Sequence, residues 1–114
     1  MIEGLGIEIV DLPRFKKAME RWGQRFLTRL FTAAELEYCM SQRRPEEHLG
    51  ARYCAKVSFM KARGRIIPFK NIEIIRDVVG RPALRVVGDD KIKVAVTMSH
   101  DGDIALAQTL ITTE

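Results

Sequence analysis

Apolar and polar residues alternate at the start of the chain, and their spacing then becomes helical. Residues 4–10 alternate and are rich in β-branched side chains, which predicts a strand. Apolar residues then recur at three- and four-residue steps, which predicts a helix over 13–22 that Asp11 caps and Gly23 ends. Residues 24–31 are predicted to continue as a short helical or irregular segment.

Two further helices follow from signals at their ends. Thr32 with Glu35 three residues later is a capping-box pattern, which opens a helix over 33–41. A longer helix is predicted over 46–63, because apolar residues keep the helical period there and Gly64 supplies a stop.

Strands dominate the second half of the chain. They are predicted over residues 71–77, 84–87, 92–98 and 104–112. A turn over 79–82 joins the first two, and a loop over 99–103 joins the last two. The prediction is one α+β domain over residues 1–114, with an antiparallel sheet packed on a long helix.

Composition narrows the class of protein. Hydrophobic residues make up 46% of the chain and charged residues 30%, which is the composition expected of a soluble globular protein. No apolar run approaches the length of a membrane span, and the first residues do not have the pattern of a signal peptide. Cys39 and Cys54 both fall in predicted helices, which favours a reducing cytoplasm over a disulfide scaffold.

The chain carries 19 basic and 15 acidic residues, a net charge of +4. This favours an acidic partner, namely nucleic acid, a phosphorylated ligand or an acidic protein. Nucleic acid is the least favoured, because Phe15, Trp22 and Phe26 are spaced as a helical core stripe. Proteins that bind single strands instead interleave aromatic and basic residues on exposed strands.

Three separated stretches carry a family pattern. The first is the run Gly-Ile-Glu-Ile-Val-Asp at 6–11; the second covers 31–39, 52–56 and 59–62; the third is Thr-Met-Ser-His-Asp at 97–101. In order and spacing they resemble the holo-acyl-carrier-protein synthases, members of the 4′-phosphopantetheinyl transferases. The likeness covers almost the whole chain.

The resemblance implies a transferase-like α+β fold that assembles into a homotrimer with active sites at subunit interfaces. It also implies a reaction in which a serine of an apo-acyl carrier protein attacks coenzyme A, with magnesium bridging the pyrophosphate. 4′-Phosphopantetheine is transferred in that reaction, as in fatty acid biosynthesis. Such a site needs carboxylates for the cation, basic groups for phosphate and a base near the serine.

Site residues are carried over position by position. Glu8 stands where the family has an aspartate metal ligand, although on an alternating strand it also fits a merely outward-facing residue. Lys61 matches a catalytic lysine that contacts phosphate, and Lys56 matches the same motif. Ser99 and His100 match a coenzyme-A-binding pair, with His100 also assigned to catalysis.

Three features depart from the family pattern. The segments over 63–69 and 88–91 are shorter than those of the family, and one site position has changed. Val57 stands where the family has its second carboxylate ligand, and valine can neither bind metal nor accept a proton. Asp101 is left open as a substitute. Glu47 is excluded within one subunit, because ten residues of helix separate it from Val57 by about 15 Å. The alternative to an active transferase is therefore an impaired family member that binds a carrier protein or coenzyme A without chemistry.

A stripe of basic residues on the first helix predicts the docking surface for the carrier protein. Arg14, Lys17, Arg21 and Arg25 recur at three- and four-residue steps, so a continuous helix would place them on one face. The alternative is a solvated face of an amphipathic helix. The resemblance favours docking, because the family uses this helix to bind the acidic helix of its carrier protein.

Overall fold

The computed structural model describes residues 1–113, so Glu114, the last residue of the predicted domain, lies outside the described part. The elements in chain order are β1 (Ile2–Asp11), α1 (Leu12–Leu30), α2 (Ala33–Met40), α3 (Pro45–Arg63), β2 (Ile72–Arg76), β3 (Pro82–Val86), β4 (Lys93–Asp101) and β5 (Ile104–Thr112). A short 3-10 turn over Phe69–Asn71 precedes β2. The α+β prediction is confirmed.

The strands form two antiparallel sheets. β5 lies between β1 and β4, while β2 and β3 form a separate hairpin. One face of the larger sheet packs on α3, and the principal apolar core lies between them, with the hairpin closing one side. β4 continues to Asp101, so residues 99–101 are strand and the predicted loop shrinks to a tight turn.

Glycines let β1 lie directly on the backbone of α3. A Cβ atom built on Gly6 would stand 1.9 Å from the carbonyl oxygen of Ser58, and one on Gly4 would stand 2.0 Å from that of Ala62. Real side chains cannot occupy such space, so this contact depends on glycine. It sets the distance between β1 and α3, and with it the position of every side chain at their junction.

The first helix is capped as predicted, because the Asp11 carboxylate accepts a hydrogen bond from the amide of Arg14 at 2.9 Å. Gly23 has positive φ (57°) and kinks the helix, which then continues to Leu30. The predicted core stripe is wrong at Trp22, whose side chain is 57% exposed. Trp22 is the last residue before the kink, and its side chain is exposed although its helical spacing from Phe15 is uninterrupted.

The capping box of α2 is present in full. Thr32 Oγ1 accepts from the amide of Glu35, and Glu35 Oε1 accepts from the amide of Thr32. Gly64 ends α3 in the left-handed conformation, as predicted. No helix in the described part of the chain is long and apolar enough to cross a membrane.

The second face of the larger sheet is apolar and uncovered. Along β1, Leu5, Ile7 and Ile9 are 56–60% exposed, and Ile104 at the start of β5 is 42% exposed. Single exposed apolar residues are common, whereas a contiguous row on a sheet face is typical of an interaction surface.

Candidate functional site

The junction of β1 and α3 brings two predicted site residues together. Lys61 Nζ donates to Glu8 Oε1 at 2.7 Å and to the carbonyl oxygen of Ile7 at 3.1 Å. β1 is an edge strand, so its outward carbonyls have no strand partner, and Lys61 satisfies one of them. The Lys61 side chain is 54% exposed and that of Glu8 is 22% exposed, so solvent and ligands reach the pair.

Val57 lies beside this pair on the same face of α3. It is four residues before Lys61 and four after Tyr53, and such positions are neighbours on a helix. Glu8 lies close to this stripe, because Lys61 contacts it directly. Burial, together with the Glu8 carboxylate, raises the pKa of Tyr53. A carboxylate at position 57 would thus adjoin Glu8, whereas the valine present offers only hydrocarbon.

The donor set does not fit a magnesium ion within one subunit. Magnesium requires oxygen ligands at about 2.0–2.1 Å in octahedral geometry. Glu8 is the carboxylate at the junction, and its Oε1 is held by the Lys61 ammonium. Among residues 1–113, no group of three or more histidine, cysteine, aspartate or glutamate side chains could hold a metal ion.

The assignment of Lys56 to coenzyme A binding is wrong for this structure. Its side chain is fully buried, and Nζ donates to Glu35 Oε1 at 2.7 Å and to the carbonyl oxygens of Leu30 and Phe69 at 2.7 and 3.2 Å. An ammonium group has three donors, so none remains for a phosphate. Burial lowers the pKa of Lys56, an effect that the Glu35 carboxylate opposes. Lys56 joins α3 to α2 and to the segments beside Leu30 and Phe69.

Ser99 and His100 lie on opposite faces of β4, because side chains alternate along a strand. His100 pairs with the buried Ala105 on the face toward α3, while Ser99 pairs with Leu106 on the uncovered face. Since β5 separates β4 from β1, two strand spacings, roughly 10 Å, lie between His100 and Glu8 within one subunit. Ser99 and His100 therefore do not reach the Glu8–Lys61 junction within one subunit.

Two carboxylates considered as substitutes for the missing ligand also lie away from Glu8. Asp101 is exposed and pairs with Ile104 on the uncovered sheet face. Glu47 Oε1 lies 3.9 Å from His100 Nδ1, and Glu47 also forms an ion pair with Arg44 at 3.0 Å. Sequence reasoning missed the contact with His100, because it joins the start of α3 to the end of β4.

A second cluster of basic side chains surrounds Tyr38. The family pattern includes Tyr38 and Arg52, whereas sequence reasoning missed Arg76 and His48. The guanidinium carbon atoms of Arg52 and Arg76 lie 4.9 and 5.7 Å from the centre of the Tyr38 ring. Arg52 is 3% exposed, and its Nε has no hydrogen-bond partner in the described structure. Burial, together with Arg52 and His100, lowers the pKa of His48, whose ring meets Tyr38 edge-on.

This cluster, Arg52 with Arg76 and His48, has chemistry suited to an anion. Arg52 and Arg76 line a cleft of about 290 Å³ together with Tyr38 and Glu73. An unpaired buried donor beside further cationic groups is stabilised when a negatively charged oxygen reaches it.

The predicted docking residues all lie exposed on α1. Arg14, Lys17 and Arg21 precede the kink at Gly23, and Arg25 follows it. Arg21 stacks over the exposed Trp22 ring at 4.8 Å, and Arg25 lines a shallow cleft with Trp22 and Arg29. The surface is therefore a basic stripe with an aromatic side chain in it, and the kink interrupts its regular helical spacing.

Comparison with known proteins agrees with this architecture. A family model described as the 4′-phosphopantetheinyl transferase superfamily matches residues 4–109. The chain is 37% identical over 114 residues to a holo-[acyl-carrier-protein] synthase of Thermodesulfovibrio yellowstonii, covering 98% of this chain and 100% of that relative.

Solved structures give the same result. The chain is similar to a crystal structure of holo-[acyl-carrier-protein] synthase from Neisseria meningitidis, with a TM-score of 0.89, 31% identity, and coverage of 99% and 100% of the two chains. It is also similar to the Bacillus anthracis synthase in complex with CoA (3′,5′-ADP), with a TM-score of 0.86, 29% identity, and coverage of 97% and 96%. The chain belongs to the 4′-phosphopantetheinyl transferase superfamily and, within it, to the holo-acyl-carrier-protein synthases.

Proposed function

We propose that the protein transfers 4′-phosphopantetheine from coenzyme A to a serine of an apo-acyl carrier protein. The observation that carries the proposal is the exposed Lys61 ammonium, held on Glu8 at the edge of β1, in a chain that matches synthases over nearly its whole length. In this assignment Lys61 contacts the phosphate that the serine attacks. An ammonium there neutralises charge that develops on the phosphate oxygens during transfer.

Coenzyme A carries phosphates that need basic partners besides Lys61. The cluster of Arg52, Arg76 and His48 supports binding of one of them, because Arg52 has a buried donor without a partner. His100 lies beside this cluster, with its ring centre 6.4 Å from that of His48, and retains its assigned roles in coenzyme A binding and catalysis. Ser99 contributes from the other face of β4, which requires a site shared between subunits.

The alternative is a member that binds coenzyme A or a carrier protein without chemistry. Val57 favours it, since position 57 supplies neither a metal ligand nor a base beside Glu8. Incubation of the purified protein with coenzyme A, magnesium and a panel of apo-carrier proteins decides between the two. A carrier whose mass rises by one phosphopantetheine group identifies a transferase, while coenzyme A binding without any mass change identifies the binder.

A homotrimer is the assembly that we propose. The uncovered row of Leu5, Ile7 and Ile9 supports an interface between copies, as does the separation of Ser99 and His100 from Glu8 in one subunit. Sedimentation equilibrium should give three times the 13.0 kDa chain mass. Substituting Ile7 by lysine should shift the mass toward the monomer, because a charge would be buried in the interface.

The cytoplasm is the proposed location. Cys39 and Cys54 are both free thiols, and burial raises their pKa values to about 11 and about 12. Neutral buried thiols are typical of proteins from a reducing compartment.

The acidic carrier protein is proposed to dock on the exposed basic stripe of α1. Arg14→Glu combined with Arg21→Glu should abolish carrier binding and leave coenzyme A binding unchanged. Wild-type binding should weaken steeply with salt, because exposed charges steer association and are screened beyond about 8 Å at physiological ionic strength. Equal binding of the double variant at low salt would show that this surface is only solvated.

A further inference from the structure

The Glu8–Lys61 junction already holds a cation where the family pattern would place a metal ion. The Lys61 ammonium lies 2.7 Å from Glu8 Oε1, so a second cation on that oxygen would meet direct repulsion. Val57 adds no negative charge that would offset it. A divalent ion would therefore have to displace the Lys61 ammonium before it could bind the Glu8 carboxylate.

We propose that Lys61 takes the place of the divalent cation, so that this protein binds the pyrophosphate of coenzyme A without magnesium. This inference rests on the proposed function, because it names how the same site neutralises its substrate. Glu8 then acts as a positioning residue that orients the ammonium.

The hydrogen bonds of Lys61 leave it suited to this task. An ammonium group has three donors. Two of them are directed to Glu8 Oε1 and to the carbonyl oxygen of Ile7, and the side chain is 54% exposed. The third donor is therefore available to a phosphate oxygen from solvent, while the other two hold the nitrogen in place.

The framework around Lys61 makes this arrangement rigid. β1 contacts the backbone of α3 at Gly4 and Gly6, so Glu8 and the carbonyl of Ile7 are fixed relative to the helix that carries Lys61. A lysine oriented by two fixed acceptors is preorganised, and preorganised charge stabilises a bound anion better than a freely rotating side chain does.

Calorimetric titration of coenzyme A into the protein, in EDTA and in millimolar magnesium, tests the inference. Wild-type affinity should agree within about twofold between the two conditions. Lys61→Met should weaken binding in EDTA by about tenfold, the effect of losing one charged hydrogen bond. Lys70→Met, at an exposed lysine outside the junction, is the matched control and should leave affinity unchanged.

Val57→Glu should make the Glu8–Lys61 junction a site for a divalent cation. A second carboxylate beside Glu8 gives the junction a net negative charge, so coenzyme A binding should become dependent on magnesium. Manganese alone, followed by its electron paramagnetic resonance signal, should bind this variant and not the wild type. Thermal unfolding of each variant establishes that it is folded, and Lys61→Gln provides a second test if the methionine variant is not.

Each result separates the inference from the proposed function. Wild-type binding of coenzyme A only with magnesium would overturn the inference and leave the proposed function standing. Manganese binding by the wild type, or unchanged affinity of Lys61→Met in EDTA, would likewise overturn the inference alone. The absence of coenzyme A binding in either condition would overturn both.

Discussion

Two lysines five residues apart on α3 form ion pairs of the same length in opposite surroundings. Lys56 lies 2.7 Å from Glu35, and the two side chains are 0% and 1% exposed. Lys61 lies 2.7 Å from Glu8, and these side chains are 54% and 22% exposed. The distance between charges therefore does not distinguish them, whereas access to water does.

The difference makes the Lys56–Glu35 pair part of the folded interior and leaves the Lys61–Glu8 pair open to the ligand that we propose. All three donors of Lys56 are bonded inside the protein. Breaking one of these bonds would leave a buried charge without a partner. The exposed lysine keeps a donor for a ligand and is stabilised by water when no ligand is present. Removing each in turn should consequently affect different measurements.

The largest expected effect is that of Lys56→Met on stability. Breaking a buried pair by removing one partner costs about 3–5 kcal/mol, because Glu35 is left charged in the interior. Urea denaturation measures this loss in the free energy of unfolding. Lys61→Met is the matched control and should cost less than about 1 kcal/mol, since exposed pairs contribute little. Equal losses of unfolding free energy in Lys56→Met and Lys61→Met would contradict the conclusion that only the buried pair stabilises the fold.

Gly6→Ala should have an intermediate effect on stability. It should displace Glu8 from Lys61 and leave the buried Lys56–Glu35 pair in place. The new methyl group would overlap the carbonyl oxygen of Ser58, so β1 must move from α3 at a cost of about 2–3 kcal/mol. Coenzyme A affinity should fall as Glu8 moves away from Lys61. Gly50→Ala is the control, since its methyl group would meet side-chain atoms, the nearest of them a methyl of Leu12 at 2.7 Å, and not a backbone carbonyl. Unchanged stability and affinity of Gly6→Ala would show that the backbone contact does not position the junction.

The smallest expected effect is on the pH dependence of stability, and it concerns Glu73, which bonds Thr32 beside the buried Lys56–Glu35 pair. A hydrogen bond from Thr32 Oγ1 at 2.7 Å, together with Arg85, lowers the pKa of Glu73 below 4.5. The unfolded chain then takes up a proton more readily, so this contribution is complete above pH 4.5 and is lost as the pH falls through the lowered value. Glu73→Gln should remove about 1 kcal/mol or less of this pH dependence in denaturation curves recorded between pH 6 and 3. An identical pH dependence in the variant would assign the effect to other carboxylates.

The elements of the fold could be predicted because their signals are local. Asp11, the pair of Thr32 and Glu35, and Gly64 mark helix ends through contacts within a few residues, and each behaves as predicted. The predicted end of β4 is too early, because the last residues of the strand pair with the start of β5. Such pairing across a turn has no local sequence signal.

The site could be predicted only in part, because burial depends on distant segments. Lys56 and Lys61 share one motif, and the sequence does not reveal that α2 and the Phe69 carbonyl enclose only the former. The exposure of Trp22 depends on which segments pack against α1, and the approach of Glu47 to His100 depends on how α3 crosses β4. These contacts join segments that are far apart in the sequence, so local sequence patterns do not predict them.

Position 57 has a consequence for how this protein can change over evolutionary time. Val57 is partly exposed on α3, and neither the capping of the helix nor the glycine contacts of β1 depend on it. Exchange between valine and glutamate there is thus nearly neutral for folding while it alters the charge of the junction. In the arrangement that we propose, a lineage can pass between magnesium-dependent and magnesium-independent binding of coenzyme A through this one substitution, in either direction, while it keeps the fold.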